Sequence, residues 1–352
     1  MHSRELTAEA EFLFACVNRN NEPAAIAGRI GALADGFAWP MVFQIATVQG
    51  IAPLLSVALK AAARVGTDIP RQALVGFELQ ERKWFAQQAG RRERLRAILE
   101  LARRANLRIM LLKSAAIGAR RPSETSLVIS DDIDLLVEPA EVTLGEEVRD
   151  SFWEHNRKGN CEINFGEHHD VNLDGALPVC FPELWSDAEP LEVLGEPAWV
   201  PCREDTLIIA CINSHRKRYF HLRQLYAICE ALRLEGEIDW SVVEAKARRY
   251  ECCFQVYAAL LVTGQMLGCT IPADLETRLS IRWLRSAVIR HLVAHLSYSS
   301  IESRTLRIRG GAAEMGLFDR EKYGPSVLLP IATFKLSRLF RRTRLLLGKH
   351  HH

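Results

Sequence analysis

Residues 107–137 carry the reading on which the fold turns: LRIMLLKSAAIGARR from Leu107 to Arg121, then the polar PSETS, then SDDIDLLV from Ser130 to Val137. LRIMLL is a short apolar run rich in strand formers and reads as a buried strand. Ser114 stands where that strand gives way to a short helix, SAAIGARR, and the spacing expects it to cap the helix, which stops before Pro122. A second strand is expected from Asp132 to Val137, ended by Pro139. On a strand, residues two apart share a face and lie about 6.6 Å apart. Asp132 and Asp134 therefore point one way, and Ile133, Leu135 and Val137 point into the core. Asp131 has the other parity and is read as a strand-entrance residue.

Two carboxylates that close repel by about 2.5 kcal/mol at an effective dielectric near 20. A cation between them, or a proton on one, removes that cost. Magnesium takes oxygen ligands, commonly one or two carboxylates together with substrate phosphates. The chemistry that fits is two-ion catalysis, and it needs a third carboxylate. The alternation from Cys161 to Asp174 predicts two strands with a turn at Gly166-Glu167. In HHDVNLD, Asp170 lies mid-strand and is the chosen third acid, whereas Asp174 abuts Gly175 and reads as a turn residue. Lys113 and Ser114 sit at a helix N-terminus, where unpaired N–H groups and the helix dipole favour an anion such as a triphosphate.

Outward from this island the pattern is helical. Apolar residues recur three and four apart from the start to about Asn106, and again from Asp205 over roughly 205–216, 220–234, 240–268 and 272–298. The stretch 178–201 is rich in Pro, Glu and Asp and predicts loops with one further strand near Ala198. The fold class expected is α+β: a small mixed sheet (106–204) between an N-terminal helical region (1–105) and a C-terminal one (205–349). His350 to His352 read as a tag remnant.

These pieces, in this order, resemble the nucleotidyltransferase superfamily typified by DNA polymerase β. More narrowly they resemble the bacterial family labelled uncharacterised nucleotidyltransferase, over roughly residues 75–270. Its members carry a strand ending in Leu-Leu-Lys-Gly, then Asp-Ile-Asp-Leu-Leu-Val. A later Asp-Leu-His strand, a Trp, and a helix with a His and basic residues follow. Here the counterparts are Asp170-Val171-Asn172, Leu184-Trp185 and Asn213 to Lys217. The resemblance implies Asp132, Asp134 and Asp170 as ligands of two Mg²⁺ (or Mn²⁺) ions, and Ser114 against phosphate. It implies transfer of an NMP from an NTP to an acceptor hydroxyl. Ser114 replaces the usual Gly, Val128 and its neighbours lie where an Arg is frequent, and Asn172 replaces a His. Those departures raise the alternative of a degenerate fold that binds a nucleotide or a protein without turnover.

His215, Lys217 and Arg218, with His221 and Arg223, form a basic cluster that reads either as triphosphate contact or as a solvated face with a core histidine. His291 and His295 lack the Glu of a zinc-binding HExxH helix and read as structural. The Arg- and Glu-rich stretch 81–104 reads as a solvated, salt-bridged face. The basic amphipathic tail, Arg338 to Lys349, offers contact to a polyanion or packing of its leucines.

Composition excludes several classes. In 352 residues, 45 Lys+Arg face 43 Asp+Glu, which is not a surface built wholly for nucleic acid. Hydrophobic residues at 48% and charged at 25% exclude disorder as the main state. No apolar run reaches the roughly 18 residues of a bilayer-spanning helix, and the N-terminus lacks a secretory pattern. Nine scattered cysteines with no CxxC suggest neither a disulfide framework nor a zinc site, so a reducing cytoplasm is expected. No P-loop or kinase motif occurs.

Overall fold

The computed structural model describes residues 8–18, 22–33, 37–121, 132–155, 162–166, 170–171, 179–180, 184–216, 221–283, 286–287 and 289–290. Five helices come first: α1 (Ala8–Val17), α2 (Pro23–Gly31), α3 (Trp39–Val48), α4 (Ala52–Arg64) and α5 (Arg71–Arg104). Pro23, Pro40 and Pro53 sit at the first or second position of α2, α3 and α4, where the missing N–H costs nothing and the fixed φ suits the helix. The 34 residues of α5 span about 51 Å. Its first half packs on the preceding helices, with Phe77 edge-on to Phe43 and buried Glu81 accepting from Ser56 Oγ and Lys60 Nζ. Its last turns pack on the sheet through Ile98, Leu99 and Ala102. α5 ends at Arg104, with Ala105 as its C-cap. Asn106 takes φ +55 there, and the N–H groups of Asn106 and Leu107 bond back to Arg103 and Ala102 carbonyls, a Schellman stop.

The sheet follows: β1 (Ile109–Leu111), α6 (Lys113–Arg120), β2 (Asp132–Val137), α7 (Val142–His155), β3 (Glu162–Gly166), β4 (Asp170–Val171), β5 (Val179–Cys180), β6 (Glu189–Val193) and β7 (Glu196–Val200). Five strands form one mixed sheet in the order β3-β2-β1-β7-β6. β1 and β2 are antiparallel with Leu111 opposite Leu135, and β3 lies parallel to β2 after the α7 crossover. The expected α+β class is therefore observed. The expected hairpin across Gly166-Glu167 is not: β3 pairs with β2, while β4 pairs with β5 in a separate two-stranded ribbon. Strand alternation identifies strands but not partners, and the α7 helix before β3 favours a parallel return. The stretch 178–201, expected as loops with one strand, holds β5 and a β6–β7 hairpin. That hairpin turns on Leu194-Gly195, both at positive φ.

The C-terminal helices are α8 (Arg203–Arg216), α9 (Leu222–Leu232), α10 (Trp240–Arg249), α11 (Cys253–Leu267) and α12 (Leu275–Arg278). The single helix expected over 240–268 is two. Glu251 takes φ +55, and the N–H groups of Glu251 and Cys252 close on Arg248 and Ala247 carbonyls, so α10 ends in the same motif as α5.

The two helical regions share a core. Phe12, Leu13, Leu55 and Leu59 from the first region join Leu207, Leu225, Phe254 and Leu260 from the second. Met110, Ile117 and Leu136 extend that cluster onto one face of the sheet. The other face is covered by α5 and α7 around Ile133, Leu135, Val137, Val148 and Phe152. One further correction concerns the cysteines. No disulfide was expected, yet the buried Cys229 of α9 is bridged to Cys269 just after α11, with Cα atoms 6.1 Å apart. Cys211, Cys252 and Cys253 are buried thiols.

Candidate active site

The β2 strand explains its own polarity. Residues 132, 134 and 136 share one face, and their burial rises along the strand: Asp132 is half-buried, Asp134 is 8% exposed and Leu136 is 2% exposed. Leu136 is part of the large core, so the two aspartates occupy the end where that core stops. The alternate face, with Ile133, Leu135 and Val137, is wholly apolar. The parity read from the sequence is therefore the parity observed.

The antiparallel register brings the end of β1 beside this acidic end. The Leu112 N–H donates to the Asp134 carbonyl at 3.0 Å, extending the ladder by one bond. Lys113 follows with φ +52 and opens α6. Its Nζ donates to Asp134 Oδ1 at 2.7 Å, with side chains 20% and 10% exposed. Ser114 was expected to cap α6. The N-cap is Leu112 instead, with no side-chain cap bond, and Ser114 occupies the second helical position. Lys113, at φ +52, turns the chain immediately after the strand, and Ser114 falls inside the first turn.

Asp170 begins β4, opposite Cys180, in the ribbon outside the main sheet. The register also sets Glu162 of β3 beside Asp132 and Asn164 beside Asp134. Neither was singled out in the sequence, since the parallel β2–β3 pairing could not be read from it. Among the described residues no three His, Cys, Asp or Glu side chains gather as a metal centre.

His215 is in the last turn of α8, 9% exposed, with its ring edge-on to Phe254. Burial lowers its pKa to about 4, so the imidazole is neutral at pH 7. The structure thus places His215 in the helical core, not on a charged face. Lys217, Arg218, Val128, Asp131, Asn172, Asp174, His291, His295 and the basic tail lie outside the described residues. His221 is the residue before α9, whose first N–H, that of Leu222, is capped by Gln49 Oε1.

Trp185 braces the opposite end of β1. The Arg108 guanidinium lies 4.4 Å from the Trp199 ring centre and 5.1 Å from that of Trp185, and it pairs with Glu138 at 2.7 Å.

A strand–turn–helix next to an Asp-x-Asp strand, lysine at the turn, is the arrangement the sequence pattern anticipated. The profile of the family described as uncharacterised nucleotidyltransferase matches residues 35–268. The chain belongs to this family. It is a nucleotidyltransferase, an enzyme that transfers a phosphorus-containing group. The match begins within the N-terminal helices and ends with α11, so the family unit is the sheet together with its shared helical core. No curated protein and no solved structure matches the chain. No described helix of this nucleotidyltransferase is long and apolar enough to cross a membrane.

The Asp132–Asp134 end suits a divalent ion by its chemistry. Carboxylate oxygens are the hard donors that Mg²⁺ and Mn²⁺ prefer. The burial gradient gives one half-open and one buried carboxylate, which shields a charge cluster from bulk solvent. One oxygen of Asp134 is engaged by the Lys113 ammonium.

Proposed function

We propose that this nucleotidyltransferase moves an NMP from an NTP to an acceptor hydroxyl and releases pyrophosphate, with Mg²⁺ or Mn²⁺ held by Asp132, Asp134 and Asp170. The observation that carries the reading is the shared face of Asp132 and Asp134 at the end of a core strand, beside the Lys113-Ser114 turn. Bound ions would supply charge neutralisation at the reacting phosphate and lower the pKa of the acceptor hydroxyl.

The remaining roles belong to the chain. Asp132 and Asp134 fix the charge cluster on a rigid strand. The acceptor oxygen forms a bond to the α-phosphorus while the bond to the bridging oxygen of the β-phosphate breaks, and pyrophosphate departs. The hydroxyl proton passes to Asp170 or to water. Lys113 and Ser114, at the first turn of α6, lie where the β- and γ-phosphates would rest. Little covalent chemistry is asked of the protein, so positioning and preorganised charge do most of the catalysis. Lys217 and Arg218 are proposed as further triphosphate contacts. The acceptor class stays open between an RNA end, a protein hydroxyl and a small molecule. NTP and Mg²⁺ as reactants favour a cytoplasmic location, and the Cys229–Cys269 bridge, of a kind rare in that compartment, argues the other way.

The test is pyrophosphate release from α-labelled NTPs with a cell extract as acceptor source. Asp132→Asn with Asp134→Asn should abolish Mg²⁺-dependent labelling while leaving the circular dichroism unchanged. Labelling at the wild-type rate by that variant would reject the assignment. A second reading, a nucleotide-binding module without turnover, is favoured by the ion pair that already neutralises Asp134. NTP binding by calorimetry without any pyrophosphate release would select it.

A further inference from the structure

Lys113 combines two features that local structure does not require of it. Its φ of +52 lies in the left-handed region, where a Cβ crowds the following carbonyl and glycine is the relaxed choice. Its ammonium is nonetheless aimed back across the turn at Asp134 Oδ1, 2.7 Å away and largely out of solvent. A glycine would make the same turn with less strain and leave Asp134 open. The chain instead keeps a cation on the carboxylate that the proposed reaction needs for another cation.

We propose that Lys113 is a displaceable counter-ion. Without nucleotide it holds Asp134 and disfavours a divalent ion binding alone. When ion and triphosphate arrive together, the ion takes Asp134 and the ammonium turns to the phosphates beside it. The inference rests on the reading of Asp132 and Asp134 as ion ligands. Two cations compete for one carboxylate oxygen, and the flexible four-carbon stem of lysine lets its compact charge change partners without moving the backbone. The triphosphate, dense in negative charge, gives the displaced ammonium a replacement partner. Ion and nucleotide are thereby coupled, and the coupling is reciprocal: each tightens the other by the same factor. In this scheme Lys113 serves Asp134 before the nucleotide binds and the phosphates afterwards.

The experiment is Mn²⁺ binding to the full chain, read by electron spin resonance of free Mn²⁺, with no turnover required. Lys113→Met and Lys113→Gly should each bind Mn²⁺ alone about tenfold more tightly than wild type, a typical size for such coupling. Lys113→Arg should behave as wild type because it keeps the charge. A non-hydrolysable triphosphate should tighten Mn²⁺ binding in wild type about tenfold and much less in Lys113→Met. Glycine suits the left-handed backbone, so Lys113→Gly decides the matter even if the methionine variant misfolds. Equal Mn²⁺ affinity in wild type and both neutral variants overturns the inference. If Asp132→Asn with Asp134→Asn loses Mn²⁺ in the same series, the ion-ligand reading still stands. If that double variant binds Mn²⁺ as well as wild type does, the functional reading itself falls and takes the inference with it.

Discussion

Asp132 and Asp134 look equivalent in the sequence, and the structure separates them. Asp134 is buried and holds Lys113, whereas Asp132 sits at the half-open end of the strand. Asp134→Asn leaves an ammonium mostly out of water without its counter-charge, and should lower stability by about 2 kcal/mol. Asp132→Asn, at the half-buried end of the strand, should lower it by less than Asp134→Asn does. Urea unfolding of the two single variants distinguishes them, and equal losses would contradict the burial gradient. His215 gives a pH signature. Its folded pKa near 4 lies below the unfolded value near 6.5, so the unfolded chain binds the extra proton first. Its contribution is complete above pH 6.5 and is lost as pH falls toward 4, costing about 2 kcal/mol between pH 7 and pH 5. His215→Phe should flatten that part of the urea-midpoint profile. The strand parity of the two aspartates was legible because Ile133, Leu135 and Val137 mark the core face. The burial of His215 was not, because its helix carries basic residues on the sequence neighbours that suggested a solvated face.

Elements were legible where a period changed and illegible where a single residue reverses the chain. LRIMLL and DIDLLV were readable as strands from composition and parity. Which strands pair, and in which sense, lay beyond reach: α6 separates β1 from β2, which meet antiparallel, and α7 separates β2 from β3, which meet parallel. The break between α10 and α11 was missed for a related reason. Glu251, not a glycine, takes the left-handed position, so no punctuation appears in RRYECCF. Asp239 does announce the start of α10: it accepts from the Ser241 hydroxyl and the Ser241 and Val242 N–H groups, and these bonds hold its carboxyl below the usual range. The Schellman stop makes a prediction at Glu251. Glu251→Gly relieves the positive φ and should raise stability by about 1 kcal/mol, seen as a higher urea midpoint with unchanged slope. A loss of stability would mean that the Glu251 side chain contributes more than its backbone costs.

At the scale of the whole molecule, a covalent bridge and a buried charge cluster pin the C-terminal helices, and neither was visible as spacing. The Cys229–Cys269 bridge closes a 40-residue separation, and odd-numbered, scattered cysteines gave no hint of it. Loop closure of that length is worth about 4 kcal/mol, so Cys269→Ser should lower the melting temperature and make it insensitive to dithiothreitol. The second device is a buried charge cluster. Asp205 of α8, fully buried, accepts from Lys246 Nζ of α10 at 2.6 Å and from the Tyr250 hydroxyl at 2.9 Å. Lys246 also reaches Asp187, in the turn that follows Trp185. Burial disfavours the Lys246 charge, but its bonds to Asp187 and Asp205 outweigh that and raise its pKa above the ordinary value. Cys202, at 3.2 Å from Asp205, is pushed up to about 12 by burial and then by that carboxylate, so its thiol is unreactive at neutral pH. The cluster thus pins three segments, the turn after the β4–β5 ribbon, the start of α8 and the end of α10. Removing Lys246 strands the Asp205 carboxylate in the interior, and removing Asp205 leaves the buried Lys246 with Asp187 as its charge partner. Asp205→Asn and Lys246→Met should each cost about 3 to 5 kcal/mol. The double variant removes both charges at once, and should cost less than the sum of the singles by at least about 1 kcal/mol. A double-mutant cycle in urea measures that coupling directly. Strict additivity would show that the two residues stabilise the fold independently and that the three segments are pinned by apolar packing instead.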